Sequence, residues 1–309
     1  MNQAWKKHDI QLRPGMHVKG KWHNKRYLIK KRLGQGAVGT VYLCEANGKR
    51  AALKISEQGT SMTVEVNVLK ALQKVQGSRL GPYLLDVDDW KAPSGNTYAF
   101  YVMEYLQGES MASFIQRNGK EWIGVLMLQL LKDLEQLHES GWVFGDLKAE
   151  NLLVTDSPPR IRWVDVGGTT QIGRAIKEYT EFYDRGYWGL GSRRAEPSYD
   201  LFALVMVFLT IFYPSRFEKT ARPEQTIFQK INHVKALKPY NNCLKKAILG
   251  KYQSSTQMKQ DITRILYSRQ SRKRTKQKTD KTSQVPFIIE SGGILLLALG
   301  YYLSSLLIP

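Results

Sequence analysis

From Arg26 to Ser56 apolar and polar positions alternate with a period of two, and an Asn47-Gly48 pair separates two of the runs. That pattern predicts three antiparallel strands, two of them joined by a tight turn. The period then changes. Residues 60–75 (TSMTVEVNVLKALQKV) predict a helix with Val64, Val68, Leu69 and Leu72 as its apolar face and Glu65 on the flank. Two more strands are expected at 83–90 and 97–104, around the polar turn APSGN. Helical patterns dominate from there: 121–139 ends before Gly141, 198–213 (SYDLFALVMVFLTIFY) is apolar enough to require burial on most sides, and 226–266 is amphipathic. Short strands are expected at 152–154 and 161–164, on either side of SPPR. A small antiparallel sheet followed by a larger helical part is an α+β arrangement.

The C-terminal pattern has a different period. Residues 292–308 (GGILLLALGYYLSSLLI) are uncharged and apolar on every side, long enough as a helix to span roughly 26 Å. Extended back through Phe287, Ile288 and Ile289, with Glu290 at the interface, this predicts a single transmembrane helix over 287–308. A buried core helix is the alternative. The N-terminus has no apolar stretch of signal-peptide length, and a basic block precedes the apolar run, so the expected location is the cell membrane, single-pass, with the folded domain cytoplasmic. Almost nothing follows the run, so no external sensor domain is expected.

The chain has 309 residues, 42% of them hydrophobic, enough for a two-lobed domain with appendages. Its formal charge of +19 is uneven. Residues 1–54 hold thirteen Lys and Arg against Asp9 and Glu45, while 269–281 hold seven, Arg269, Arg272, Lys273, Arg274, Lys276, Lys278 and Lys281, against Asp280. Such blocks suit nucleotide, nucleic acid or acidic lipid, and equally serve solubility. Cys44 and Cys243 lie far apart, which indicates neither a disulfide framework nor a zinc site and fits a reducing cytosol.

Chemistry concentrates at 141–154, GWVFGDLKAENLLV, where Asp146, Lys148 and Asn151 form D-x-K-x-x-N in one loop between apolar runs. Phosphoryl transfer needs such a set: a carboxylate to orient the attacking hydroxyl, a cation near the phosphate and an oxygen ligand for a metal. Upstream, Gly34-x-Gly36-x-x-Gly39-x-Val41 lacks the side chains that would keep backbone amides from a phosphate, and a strand rather than a helix follows it. These motifs resemble those of eukaryotic-type serine/threonine protein kinases over roughly residues 26–267.

That resemblance implies a two-lobed fold, a small antiparallel-sheet N-lobe and a larger helical C-lobe, with ATP and Mg2+ as cofactors and protein substrates. It implies that Lys54, in AALK, reaches the α and β phosphates with Glu65 as its partner. Met103 would guard the adenine pocket, Glu104 to Leu106 would form the hinge, and Gly108 would leave room at the entrance. Asp165, in D-V-G, would join Asn151 at the metal, and Asp200 would hold the catalytic loop. Departures stand beside the matches. Phe144-Gly145 replaces the family's H-R, Val166 replaces its D-F-G phenylalanine, and no A-P-E is found, since the AEP at 195–197 lies too close to Asp200. Without the arginine that normally pairs with a phosphate on the activation loop, little control by that route is expected. Thr169, Thr170 and Thr180 are candidate phosphosites.

The expected domains are a basic extension (1–25), a kinase domain (26–267, lobes dividing near 106), a basic linker (268–286) and the membrane helix (287–308). The layout resembles membrane-anchored kinases of spore-forming bacilli, which implies a role in sporulation, DNA as an activating partner and self-association for autophosphorylation in trans. Against an active kinase stand a membrane-tethered pseudokinase acting as a polyanion-binding scaffold, a small-molecule kinase, and a tethered DNA binder. The last has no helix-turn-helix or zinc pattern to support it.

Overall fold

In a computed structural model the residues described are 10–36, 38–73, 80–156, 158–279, 299, 300 and 302. The alternating N-terminal pattern becomes β1 (His17–Lys19), β2 (Arg26–Gln35), β3 (Thr40–Ala46) and β4 (Lys49–Ser56), followed by α1 (Gly59–Gln73), β5 (Leu84–Lys91) and β6 (Thr97–Glu104). The strands form one antiparallel sheet in the order β1-β2-β3-β4-β6-β5. Asn47 (φ 50°) and Gly48 (φ 73°) are both left-handed, the turn geometry whose twist matches that of the flanking strands. Tyr27, Ile29, Tyr42, Cys44, Leu53, Phe100 and Val102 pack the interior of this sheet.

The short β1 was not foreseen from the alternation. Its hairpin is fixed by two buried carboxylates of β5. Asp88 accepts from the backbone N–H groups of Trp22 (2.9 Å) and His23 (2.8 Å), and Asp86 binds His23 Nδ1 (2.7 Å) and the Tyr27 hydroxyl. Burial pushes the Asp86 carboxyl up, but the hydrogen bonds from Tyr27, His23 and Lys25 outweigh it and leave it below its ordinary value. Asp88 is likewise lowered, its backbone hydrogen bonds outweighing its burial. A lowered carboxyl stabilises the fold fully above its unfolded value, about pH 4, and the contribution is lost as pH falls through the folded value. Acid titration followed by tryptophan fluorescence should therefore show a loss of stability below about pH 4 that is smaller, with Asp86 still contributing, in Asp88→Ala, which at neutral pH should already be less stable by about 1–3 kcal/mol.

The helical part comprises α2 (Met111–Asn118), α3 (Trp122–Glu139), β7 (Trp142–Val143), β8 (Leu152–Thr155), β9 (Arg160–Trp163), β10 (Thr170–Gln171), α4 (Arg185–Trp188), α5 (Pro197–Thr210), α6 (Pro223–His233), α7 (Asn241–Ile248) and α8 (Ser255–Thr279). Small ribbons pair β7 with β10 and β8 with β9. α5 starts with Pro197 in its first turn and is buried at every position from Tyr199 to Leu209, as its unbroken apolar run requires.

The chain forms two compact units. The first runs to Gly108 and also takes in Arg162–Thr169; the second holds Glu109–Ile161 and the residues from Thr170 on. Sequence placed the division near 106 and did not foresee that the segment bearing Asp165 returns to the sheet unit.

The basic block, expected as a linker from 268, continues α8 to Thr279 without a break at 267. Lys, Arg and Gln are good helix formers, and neither Gly nor Pro occurs between 255 and 279. Arg269 has a partner inside the fold: burial pushes the Tyr240 phenol up, and the charge and hydrogen bond of Arg269 draw it partly back. The side chains of Arg272, Lys273, Arg274, Lys276 and Lys278, and all of Lys281, lie outside the described residues. So does the expected membrane helix apart from Leu299, Gly300 and Tyr302. Among the described residues no helix is long and apolar enough to cross a membrane. The Tyr302 hydroxyl donates to the Leu128 carbonyl of α3 (3.2 Å), a contact that membrane insertion would have to release.

Candidate active site

The expected site residues fall into two sets, one in each unit. In the first unit, Lys54 sits on β4 opposite Val41 of β3 and Tyr101 of β6, with only 4% of its surface exposed. Its Nζ lies 2.7 Å from Glu65 Oε2 and 3.8 Å from Asp165 Oδ2. Glu65 is buried, not flanking, and also accepts from the Tyr101 hydroxyl (2.9 Å). Burial and the Glu65 charge push that phenol well above its ordinary value.

The interior stripe of α1 is therefore Met62, Glu65, Val66, Val68, Leu69 and Leu72, while Val64 faces solvent. Hydrophobic periodicity chose Val64 because it cannot credit a buried carboxylate that has a cation waiting for it. Asp165 is half-exposed and accepts from the Gly167 N–H (2.9 Å). A Cβ on Gly167 would come within 2.8 Å of Glu65 Oε1, so a side chain there would crowd the ion pair.

Two roles divide the glycines between β2 and β3. A Cβ at Gly39 would lie 2.4 Å from the Ile55 carbonyl oxygen, so this glycine is demanded by packing. At Gly34 and Gly36 a Cβ would meet nothing within 4 Å, which leaves space beside the chain there, while the Gly36 N–H donates to the Gly39 carbonyl (2.9 Å). Met103 is buried and Leu106 partly so. The Glu104 N–H donates to the Tyr83 carbonyl (2.8 Å), and its carboxylate holds Arg162 Nη2 at 2.8 Å. Neither Tyr101 nor Arg162 was picked out from sequence. Packing between elements brings them to their partners: Tyr101 of β6 meets Glu65 of α1, and Arg162 of β9 meets Glu104 at the end of β6.

In the second unit, Asp200 of α5 is fully buried and accepts from the N–H groups of Phe144 (2.7 Å) and Gly145 (3.0 Å) and from His138 Nε2 (2.9 Å). Gly145 has φ +79°, which glycine adopts without strain. Asp146 follows directly. Its Oδ1 accepts from the Thr180 hydroxyl (3.0 Å) and its Oδ2 from Lys148 Nζ, which also reaches Thr180 (3.3 Å). Asn151 donates to the Asp146 carbonyl (3.0 Å). Thr180, singled out as a candidate phosphosite, thus engages the aspartate through the hydroxyl that would carry the phosphate, while Thr169 is buried.

The segment beyond Thr180 carries its own charges in pairs. Asp184, fully buried, accepts from the N–H groups of Gly186 and Tyr187, from Arg193 Nε (2.7 Å) and from the Tyr199 hydroxyl (3.0 Å). Buried Arg185 binds the Ser192 carbonyl (2.7 Å), the Ser198 hydroxyl (2.7 Å) and the Glu196 carboxylate. The glutamate of the AEP thus has an arginine partner within the same segment.

The sequence matches the protein kinase domain family over residues 27–288. The chain belongs to the protein kinase family. This kinase is 49% identical over 263 residues to the serine/threonine-protein kinase YabT of Bacillus subtilis (strain 168), covering 85% of this chain and 78% of that protein. It is 31% identical over 147 residues to the sporulation protein kinase mde3 of Schizosaccharomyces pombe, covering 44% of this chain and 26% of mde3. A third relative, the serine/threonine-protein kinase drp72 of Corynebacterium efficiens, is 28% identical over 139 residues, 42% of this chain and 26% of drp72. The kinase is therefore an ATP-dependent serine/threonine enzyme acting on protein substrates, and as a protein kinase it belongs to a family that uses ATP and Mg2+.

Proposed function

We propose that this kinase transfers the ATP γ-phosphoryl group to Ser and Thr hydroxyls while tethered to the cytoplasmic face of the membrane and stimulated by DNA. The observation that carries the catalytic part is the Thr180–Asp146–Lys148 arrangement, a carboxylate held between a hydroxyl and an ammonium within hydrogen-bond reach. A hydroxyl donating to Asp146 is what a substrate serine would present. Asp146 aligns that hydroxyl and takes up its proton, and Lys148 and Lys54 offset negative charge on the transferring group. The donor set fits nucleotide and metal: space beside the chain at Gly34 and Gly36, a buried ammonium on Lys54 and the half-exposed Asp165 carboxylate beside it. Asp165 in the first unit and Asn151 in the second each offer a side-chain oxygen of the kind the family resemblance assigns to Mg2+, an ion that would neutralise charge on the phosphate oxygens.

The test is labelled ATP with a generic protein substrate, followed by phosphoamino-acid analysis. Phosphoserine and phosphothreonine are expected, and their absence would favour the scaffold reading.

The tether rests on the apolar run at 287–308 and the basic residues before it, together with the resemblance to a membrane-anchored kinase. A reporter on the N-terminus should be cytoplasmic, and the full chain should stay with membranes after a high-salt wash. The DNA reading rests on seven cations in 269–281 with no apolar residue among them, a composition that contacts phosphates but does not insert into lipid.

If all seven engage phosphates, log affinity for duplex DNA should fall against log salt with a slope of at most about −6, with little sequence preference. Several copies on one DNA would phosphorylate each other through raised local concentration. Autophosphorylation of the full chain should rise with DNA at low salt and fail to rise when the seven residues are changed to Gln. Equal stimulation of both proteins would leave acidic lipid as the partner of this block.

A further inference from the structure

We infer that Ser255, the first residue of α8, is a positioning residue for the phosphoryl-transfer reaction. Its hydroxyl, 1% exposed, lies 2.7 Å from His138 Nδ1, and His138 Nε2 lies 2.9 Å from Asp200 Oδ2. The same carboxylate holds the N–H groups of Phe144 and Gly145, the two residues before Asp146. An unbroken line of hydrogen bonds thus runs from the start of the helix that later carries the basic block to the backbone that aims the catalytic aspartate.

The direction of each bond follows from its acceptors. A carboxylate can only accept, so the imidazole proton sits on Nε2 and is donated to Asp200. In a neutral ring Nδ1 is then an acceptor, and the Ser255 O–H is its donor. Asp200 therefore fixes the tautomer, and the Ser255 O–H fixes the angle at which the ring presents its Nε2–H. Without that hydroxyl the ring is free to tilt, which would turn the Nε2–H off the line of the Asp200 carboxylate. Asp200 would then shift against the two N–H groups it orders, and Asp146 with them, although Ser255 touches none of these groups.

The neighbouring residue supplies the control. Thr256 Oγ1 donates to Glu135 Oε1 (2.6 Å), anchoring the same turn of α8 to α3 without touching His138. The inference rests on Asp146 as the catalytic aspartate, which the Asp146→Asn variant tests on its own.

Ser255→Ala and Thr256→Ala are compared in the full-length kinase by steady-state kinetics and thermal melting, and by the backbone amide resonances of Phe144 and Gly145. Ser255→Ala should lower kcat about fivefold with KM for ATP changed by less than about twofold, and should shift both amide resonances. Thr256→Ala should melt at a similarly reduced temperature yet keep kcat within about twofold and leave the resonances in place. Should Ser255→Ala fail to fold, Ser255→Cys, a near-isostere and a poorer donor, should show the same changes in smaller measure. Wild-type kcat in the folded Ser255 variant would overturn the inference. So would an equal loss in Thr256→Ala, which would show that only the general anchoring of α8 matters.

Discussion

Asp146→Asn is expected to lower kcat by about a thousandfold while the protein stays folded, since general-base alignment of the attacking hydroxyl is worth roughly 10²–10⁴. The side chain is not a structural keystone, because its partners, Thr180 and Lys148, are both partly open to solvent. An asparagine can still accept from Thr180 through its oxygen, but its amide nitrogen then faces the Lys148 ammonium, donor against donor, and Lys148 must move away. Both the proton acceptor and the cation beside it are lost together. KM for ATP should change little, because Lys54 and the open glycines are untouched. Melting temperature, kcat and KM measured on one preparation decide it. Activity above a tenth of wild type would remove Asp146 from the reaction.

The second large effect belongs to Lys54→Met, which should abolish measurable transfer and also destabilise the protein. Glu65 is 3% exposed, and without the ammonium at 2.7 Å it is left, among the described residues, with the Tyr101 hydroxyl as its donor. Breaking a buried ion pair from one side costs about 3–5 kcal/mol, because the charge left behind has no solvent. Replacing both partners should not. The double variant Lys54→Met, Glu65→Leu should regain most of the lost stability and none of the activity, separating the structural part of the pair from its part in catalysis. Recovery of activity in the double variant would assign Lys54 a purely structural role.

What the sequence made legible was periodic or local. The hairpin at Asn47-Gly48, the strands at 83–90 and 97–104 and the buried helix from 198 all follow from patterns within a few residues of each other, and the structure places each within a residue or two. Pairings across sequence were not legible. Tyr101 meets Glu65 and Arg162 meets Glu104 through packing between different elements, and the buried position of Glu65 depends on a lysine eleven residues earlier. The motif D-x-K-x-x-N announced Asp146, Lys148 and Asn151 but could not show that Thr180, thirty-four residues after Asp146, completes their hydrogen bonding. The basic block at 268–286 is legible as a linker from its charge, whereas helix propensity decides its backbone up to Thr279.

The paired charges after Thr180 bear on how long a signal from this kinase would last. Where a loop takes its active shape from an added phosphate, a phosphatase can erase that shape within minutes. Here Asp184 answers Arg193 and Glu196 answers Arg185, all four encoded in the chain, so hydrolysis of a phosphate would leave this scaffold standing. Signalling would then end by proteolysis of the enzyme or by parting it from its partner, and the timing of its synthesis would set when it begins.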